Sequence, residues 1–147
     1  MSARKVKDKP YSRIGWETIR KRYSKPMMAI MQGLYRDFTK HYPELHAEEP
    51  FEMDADMYSV NLSLRPEGRE SIDVSLEIVE SQDYEGIAGG YTFRLDVVEY
   101  GGRILGGCSP FNYTEQVWCK TLPAIKERFE LLKPAVNASE IAALVLQ

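Results

Sequence analysis

The stretch YSVNLSLRPEGRESIDVSLEI, residues 58–78, decides the fold because apolar and polar residues alternate through both of its halves. A period of two is typical of strands that bury one face and leave the other to solvent. The turn sequence PEG separates the two halves. We therefore predict an antiparallel hairpin in which Leu64 lies opposite Ile72 and Tyr58 lies opposite Ile78. Its apolar face comprises Tyr58, Val60, Leu62, Leu64, Ile72, Val74, Leu76 and Ile78.

Residues 89–107 continue the sheet and carry three glycine pairs. Gly101 and Gly102 suit a tight hairpin turn, because glycine adopts positive φ without steric cost. Gly106 and Gly107 lie in the returning strand, where a β-bulge or a crossing aromatic side chain would explain the absent side chains. The strand before the turn has a third alternating apolar set, Tyr91, Phe93, Leu95 and Val97.

These glycines do not form a phosphate-binding motif. The spacing of a dinucleotide-binding fingerprint is absent, and Cys108 stands where the nearest phosphate-loop pattern requires lysine. Pro110 and a predicted strand then follow, where that motif requires the N-terminus of a helix. We interpret the glycines as bends of a sheet.

Helical periodicity precedes the sheet. Residues 27–42 place apolar side chains on one stripe of an amphipathic helix, and Pro26 suits its first turn. A shorter helical pattern before it includes Trp16, Ile19 and Tyr23. We therefore predict a short helix, a break, and a stronger helix that begins at Pro26.

Two further helices are predicted after the sheet. Thr121 is a suitable N-cap for the first of them, which Pro134 ends. Asn137 and Glu140 resemble a capping box for the last helix, over residues 139–146. That helix is apolar nearly all round, so it must dock on this domain or on a partner, and a second copy of the chain is one such partner.

The order of elements predicts an α+β fold. Its antiparallel sheet has four or five strands in a meander-like order, with an N-terminal helix and one or two C-terminal helices packed on one face. The fifth strand is residues 111–120, whose Thr, Tyr, Val and Trp favour a strand over the start of a helix.

Charge is divided unequally along the chain. Residues 1–25 contain nine Lys or Arg and two acidic residues, whereas the whole chain has a net charge of −3. Residues 44–56 contain six acidic residues and no Lys or Arg. We therefore predict a basic, partly flexible arm over residues 1–25 and a single α+β domain with an acidic surface over residues 26–147.

Residue types and spacing disfavour several function classes. No apolar run reaches the ~20 residues of a membrane span or follows the basic N-terminus as in a secretory leader, which favours the cytoplasm. His41 and His46 are separated by Pro43 and do not have the spacing of zinc ligands, and neither Cys108 nor Cys119 has a second cysteine nearby. We predict no metal, no cofactor and no catalytic residue.

The acidic residues of the predicted strands have two interpretations. Glu77, Asp96 and Glu99 have the chemistry of paired carboxylates that act as acid and base. Carboxylates on the polar side of an antiparallel sheet are more often solvated. We expect solvated carboxylates here.

The function that the sequence favours is non-catalytic. We expect an accessory protein that docks on a larger protein partner, such as one that itself binds nucleic acid. Aromatic residues and Arg are the usual anchors of interfaces, while acids at the rim set rate and salt dependence. The predicted binding residues are Trp16, Arg20, Arg22 and Tyr23 on the arm and Glu48, Glu49, Asp54 and Asp56 on the domain.

Three alternatives remain open. Residues 1–25 could bind nucleic acid through their cations and the stacking aromatics Tyr11, Trp16 and Tyr23, together with the outer face of the sheet, although a sequence pI of about 5.5 disfavours this function. The same residues could instead pair with residues 44–56 of their own chain. An enzyme with an unrecognised site near Cys108 is the last alternative.

Overall fold

A five-stranded antiparallel sheet forms the centre of the structure, a computed structural model that describes residues 15–54, 57–81, 90–107, 119 and 121–147. The strands lie side by side in chain order, as in a meander. This arrangement confirms the predicted α+β class. The elements are α1 (Trp16–His41), β1 (Phe51–Asp54), β2 (Tyr58–Leu64), β3 (Ile72–Ser81), β4 (Gly90–Glu99), β5 (Arg103–Gly107), α2 (Leu122–Leu132) and α3 (Ala138–Val145), with 3₁₀ turns at Pro43–Leu45 and Lys133–Ala135.

The hairpin of β2 and β3 has the predicted register. Leu64 pairs with Ile72, and Tyr58 pairs with Ile78. All four of these side chains are buried, as are the apolar residues that alternate between them. A slip by one residue would turn this whole set to the opposite face, so the burial pattern holds the register in place.

The three helices cover the apolar face of the sheet. α1 packs on β2 and β3, α2 packs on β4, and α3 packs on β5. One aromatic cluster joins two of these helices to the sheet: the ring centroids of Tyr23 and Phe93 and of Tyr23 and Phe129 are 4.9 Å apart, and those of Phe93 and Phe129 are 5.2 Å apart. The opposite face of the sheet is called the polar face below.

α1 is one helix of 26 residues that contains Pro26 in its interior, so the predicted helix start at Pro26 is wrong. An interior proline removes one N–H donor and costs about 3 kcal/mol. The turns before it bury Ile19 completely and leave Tyr23 5% exposed. Burial of one such side chain contributes about 1.5–3 kcal/mol, which offsets that cost. Residues 1–14 lie outside the described part of the chain, and the function of residues 1–25 as an arm stays a prediction.

The described sheet contains a strand that the sequence analysis did not predict. β1 adds to the free side of β2 at residues that the sequence analysis left without secondary structure. Of the predicted strand at 111–120, only Cys119 lies within the described residues. Cys119 forms an isolated antiparallel bridge with Tyr91, with N–O distances of 2.8 and 3.0 Å.

The glycines after β4 bend the sheet as predicted. Gly101 and Gly102 have φ values of 100° and 94° in the turn before β5. A β-bulge follows, because Val97 pairs with Gly106 while Val98 pairs with Ile104. The residue between these two partners on β5 therefore has no partner on β4.

The helix caps also follow the sequence. The Thr121 hydroxyl accepts a hydrogen bond from the Ala124 N–H (3.4 Å), and the Asn137 side chain accepts one from the Glu140 N–H (2.9 Å). α3 begins at Ala138, one residue earlier than predicted. Among the described residues, no helix is both long and apolar enough to cross a membrane.

Candidate docking surface

β1 is an edge strand of the sheet, and no described strand pairs with its outer side. All four of its residues are exposed. Phe51 and Met53 lie opposite polar residues of β2, which places them on the polar face. Glu52 and Asp54 lie opposite buried apolar residues of β2, which places them on the helix-covered face. The edge is therefore apolar on one side and acidic on the other.

The two apolar side chains of β1 form a neighbouring exposed pair. Phe51 is 47% exposed and Met53 is 53% exposed. Single exposed apolar residues are normal on any protein surface. Two of them at alternate positions of one edge strand give a partner a continuous apolar strip.

The residues before β1 extend the same edge. The Glu48 N–H donates to the Ser63 carbonyl (2.9 Å), and the Arg65 N–H donates to the Leu45 carbonyl (2.7 Å). The Glu48 carboxylate also forms an exposed ion pair with Arg65 (2.8 Å). Glu49 is exposed. Residues 45–54 thus lie alongside β2, and acidic side chains project from this segment.

Arg20 connects the first turns of α1 to this edge. Its guanidinium group forms ion pairs with Asp54 and, at 2.8 Å, with Glu17. These contacts raise the pKa of Arg20, chiefly through the hydrogen bond to Glu17, with a smaller contribution from Asp54. The basic part of α1 and the acidic edge therefore lie against each other.

A second contact between α1 and the sheet lies beside this ion pair. The Tyr58 hydroxyl is close to the Ser24 carbonyl, at 3.5 Å. Burial, followed by the nearby Glu52 carboxylate, raises the pKa of Tyr58 to about 12. Glu52 therefore has one close polar neighbour on the helix-covered face while it remains exposed.

The predicted anchors of the arm have different positions in the structure. Trp16 is partly buried and stacks on Tyr91, with ring centroids 6.2 Å apart and an interplanar angle of 10°. Tyr23 lies in the aromatic cluster of the core and offers almost no side-chain surface. Arg22 is exposed on α1. Asp56 lies outside the described residues.

The polar face contains a charged cluster at its centre. Arg94 Nε lies 3.2 Å from Glu77 Oε2 and 3.3 Å from Asp96 Oδ2. The side chains of Glu77 and Asp96 are only 12% and 13% exposed. The expectation that these two carboxylates are solvated is therefore wrong.

Burial has a chemical consequence for this charged cluster. The pKa of Glu77 is raised to about 7, first by desolvation and then by the hydrogen bond with Asp96, while Arg94 opposes the shift. Polar groups continue the cluster across the sheet, because Asn61 Nδ2 donates to Ser59 Oγ (3.0 Å) and the Ser75 hydroxyl donates to Asn61. Glu99 belongs to a separate group, with Arg69 at 3.2 Å and Arg103 at 3.4 Å.

A shallow depression of about 410 Å³ lies between the end of α1 and the start of α3, lined by Asp37, His41, Tyr42, Asn137, Ala138 and Ser139. Within the described ranges, no group of three or more His, Cys, Asp or Glu side chains could hold a metal ion. Cys119 is buried, and that burial raises the pKa of its thiol. Cys108 lies outside the described residues, so the enzyme alternative stays a prediction.

The sequence analysis missed Phe51, Glu52 and Met53. The signal for them was short, namely two apolar residues that alternate with two acids directly after Pro50.

Comparison of the chain with protein-family models, with curated proteins and with solved structures finds no match.

Proposed function

We propose that this chain is a non-catalytic accessory protein that docks on a larger protein partner. The docking surface consists of the exposed strand β1 and the acidic residues Glu48 and Glu49 before it. Phe51 and Met53 carry the proposal, because they are exposed on an edge strand whose outer side no described strand covers. The ion pair between Arg20 and Asp54 instead favours the alternative in which part of residues 1–25 pairs with residues 44–56 of the same chain. This edge offers a partner an apolar strip on the polar face and acidic side chains on the helix-covered face.

The apolar strip would supply most of the binding energy. Full burial of a Phe or Met side chain contributes roughly 1.5–3 kcal/mol, and only about half of each of these two side chains is still exposed to be buried by a partner. Exposed charges such as Glu49 contribute less, and they steer association and select the partner. The partner therefore needs a small apolar patch flanked by basic groups.

Nucleic acid is the less favoured ligand. Two of the three aromatic residues expected to stack on bases, Trp16 and Tyr23, pack against rings of the protein itself. The polar face, the second surface that this alternative requires, has the carboxylates of Glu77 and Asp96 at its centre. Like charge repels the phosphates of a nucleic acid.

The test is quantitative cross-linking and affinity capture with the full chain. The variant Phe51→Ser/Met53→Ser removes the apolar strip, and Leu131→Ser is the matched control because Leu131 is 51% exposed on α2. We expect one partner that binds the parent and the control in fixed stoichiometry and that the double variant loses. A partner that binds the double variant as well as it binds the parent would contradict the proposed docking surface.

A further inference from the structure

We propose that the outer side of β1 binds an extended segment of the partner as an added strand, and that basic and apolar residues alternate along this segment. The inference rests on the proposed function, because it names the chemistry of the partner at the same docking surface. Three features of β1 support it: the position of its backbone, the pattern of its side chains and the sign of its charge.

The backbone of an edge strand is a template for strand addition. In an antiparallel pair, alternate residues direct their N–H and C=O groups away from the neighbour. Among the described residues, no strand pairs with these outward groups of β1. Proteins that recognise extended peptides use such edges, in which main-chain hydrogen bonds supply affinity and side chains supply specificity.

The side chains of β1 specify a pattern for the added strand. Residues that lie directly opposite each other in a sheet share one face. Residues of the partner on the polar face would contact Phe51 and Met53, which favours apolar side chains there. Residues on the helix-covered face would lie beside the exposed carboxylate of Glu52, which favours Lys or Arg, whereas Asp54 is already paired with Arg20. The fitting segment therefore alternates basic and apolar residues.

The acidic charge of β1 favours binding of a basic partner segment over pairing with a second copy of this chain. Residues 44–56 contain six acidic residues and no Lys or Arg. Two copies joined through β1 would bring the carboxylates of Glu52 and Asp54 close to those of the other copy. Like charges across neighbouring strands are destabilising, whereas opposite charges contribute favourably.

The experiment uses fluorescence anisotropy with the full chain and a labelled nine-residue peptide of alternating Lys and Val, with blocked ends. Control peptides have the same composition with lysines and valines in separate blocks, Glu in place of Lys, or alternate N-methylated amides. We expect the alternating peptide to bind at least about tenfold more tightly than each control. Equal binding of the N-methylated and parent peptides would overturn strand addition.

Variants of the protein locate the binding site. Glu52→Lys and Met53→Ser should each weaken binding of the alternating peptide by at least about tenfold, since they reverse the charge or remove the apolar contact. Leu131→Ser should leave binding unchanged, because Leu131 lies on α2. If the peptide binds these three variants equally, the site is not β1 and the inference is wrong.

Two other occupants of the outer side of β1 would give distinct results. Sedimentation of the unliganded chain as a dimer that Met53→Ser converts to a monomer would place a second copy on β1. Tighter peptide binding by the full chain with Lys5→Glu, Lys7→Glu and Lys9→Glu would place the chain's own basic residues there. Either result would overturn the inference. Partner capture that depends on Phe51 and Met53, without peptide binding, would reject strand addition and leave the proposed function standing.

Discussion

Arg94 on β4 lies directly opposite Glu77 on β3 and forms an ion pair with it across the polar face, with Nε and Oε2 3.2 Å apart. The same guanidinium group also contacts Asp96, so one cation faces two largely buried carboxylates. Two negative charges with one positive charge at low exposure favour retention of a proton. This arrangement makes the stability of the protein depend on pH.

The free energy of unfolding should decrease as the pH rises from about 4.5 to about 7. The pKa of Glu77 is raised from 4.5 to about 7 in the folded chain, so the folded state holds a proton that the unfolded state releases. Protonation therefore stabilises the folded state below about pH 4.5, and this stabilisation is lost as the pH passes the folded pKa. Urea unfolding at several pH values measures the slope.

The variant Glu77→Gln tests the cause of this dependence. Gln is neutral at every pH and should remove this dependence on pH. Between pH 5 and pH 8, the free energy of unfolding of the variant should therefore rise by roughly 1–3 kcal/mol relative to that of the parent. Glu67→Gln is the matched control, because Glu67 is exposed in the turn between β2 and β3. A slope that is the same in the parent and in Glu77→Gln would assign the dependence to another group.

The aromatic cluster should make a large contribution to stability. Phe129 is 3% exposed and contacts the rings of Tyr23 and Phe93. We expect Phe129→Ala to lower the free energy of unfolding by about 3–5 kcal/mol, because it leaves a cavity between α1, α2 and the sheet. Leu131→Ala, on the exposed side of α2, should change it by less than about 1 kcal/mol. A loss of similar size in both variants would mean that α2 does not pack as described.

The Asn137 cap of α3 should make a smaller contribution to the free energy of unfolding, and a substitution that keeps the acceptor should retain part of it. The Asn137 side chain accepts a hydrogen bond from the Glu140 N–H and donates one to the Glu140 carboxylate (2.7 Å). Asn137→Ala should lower the free energy of unfolding by about 1 kcal/mol, while Asn137→Asp, which keeps the acceptor, should lose less. Thermal unfolding of the two variants makes the comparison, and equal losses would show that the side-chain acceptor at position 137 does not stabilise the helix.

Local pattern was sufficient to predict the centre of the sheet. The alternation of apolar residues determined the register of β2 and β3 because a slip would expose the whole set. The turn at Gly101 and Gly102 was predictable because positive φ is a local property of glycine. The caps at Thr121 and Asn137 were predictable for the same reason, since they depend on residues within one turn.

Tertiary contacts determined what the sequence could not show. Pro26 is tolerated inside α1 because the turns before it bury side chains against the sheet, a benefit that local propensity does not include. β1 has only four residues, too few for a clear period, and half of them are acidic. Arg20 and Asp54 were both predicted as binding residues, but their contact joins positions 34 apart in the chain. The low exposure of Glu77 likewise has no counterpart in its local sequence.

The bulge of β5 should be intolerant of a side chain at Gly106. A Cβ atom placed there would lie 3.0 Å from both Cδ atoms of Leu144 on α3, and Gly106 has a φ of 153°. We expect Gly106→Ala to lower the free energy of unfolding by about 1–3 kcal/mol. In a double-mutant cycle, Leu144→Ala should recover the part of this loss that comes from the steric contact and leave the part that comes from the backbone conformation. Gly33→Ala is the control, because its Cβ would meet only Arg36 at 3.8 Å inside α1 and should stabilise the chain by about 0.5–1 kcal/mol. Additive effects of Gly106→Ala and Leu144→Ala would show that α3 does not pack against the bulge.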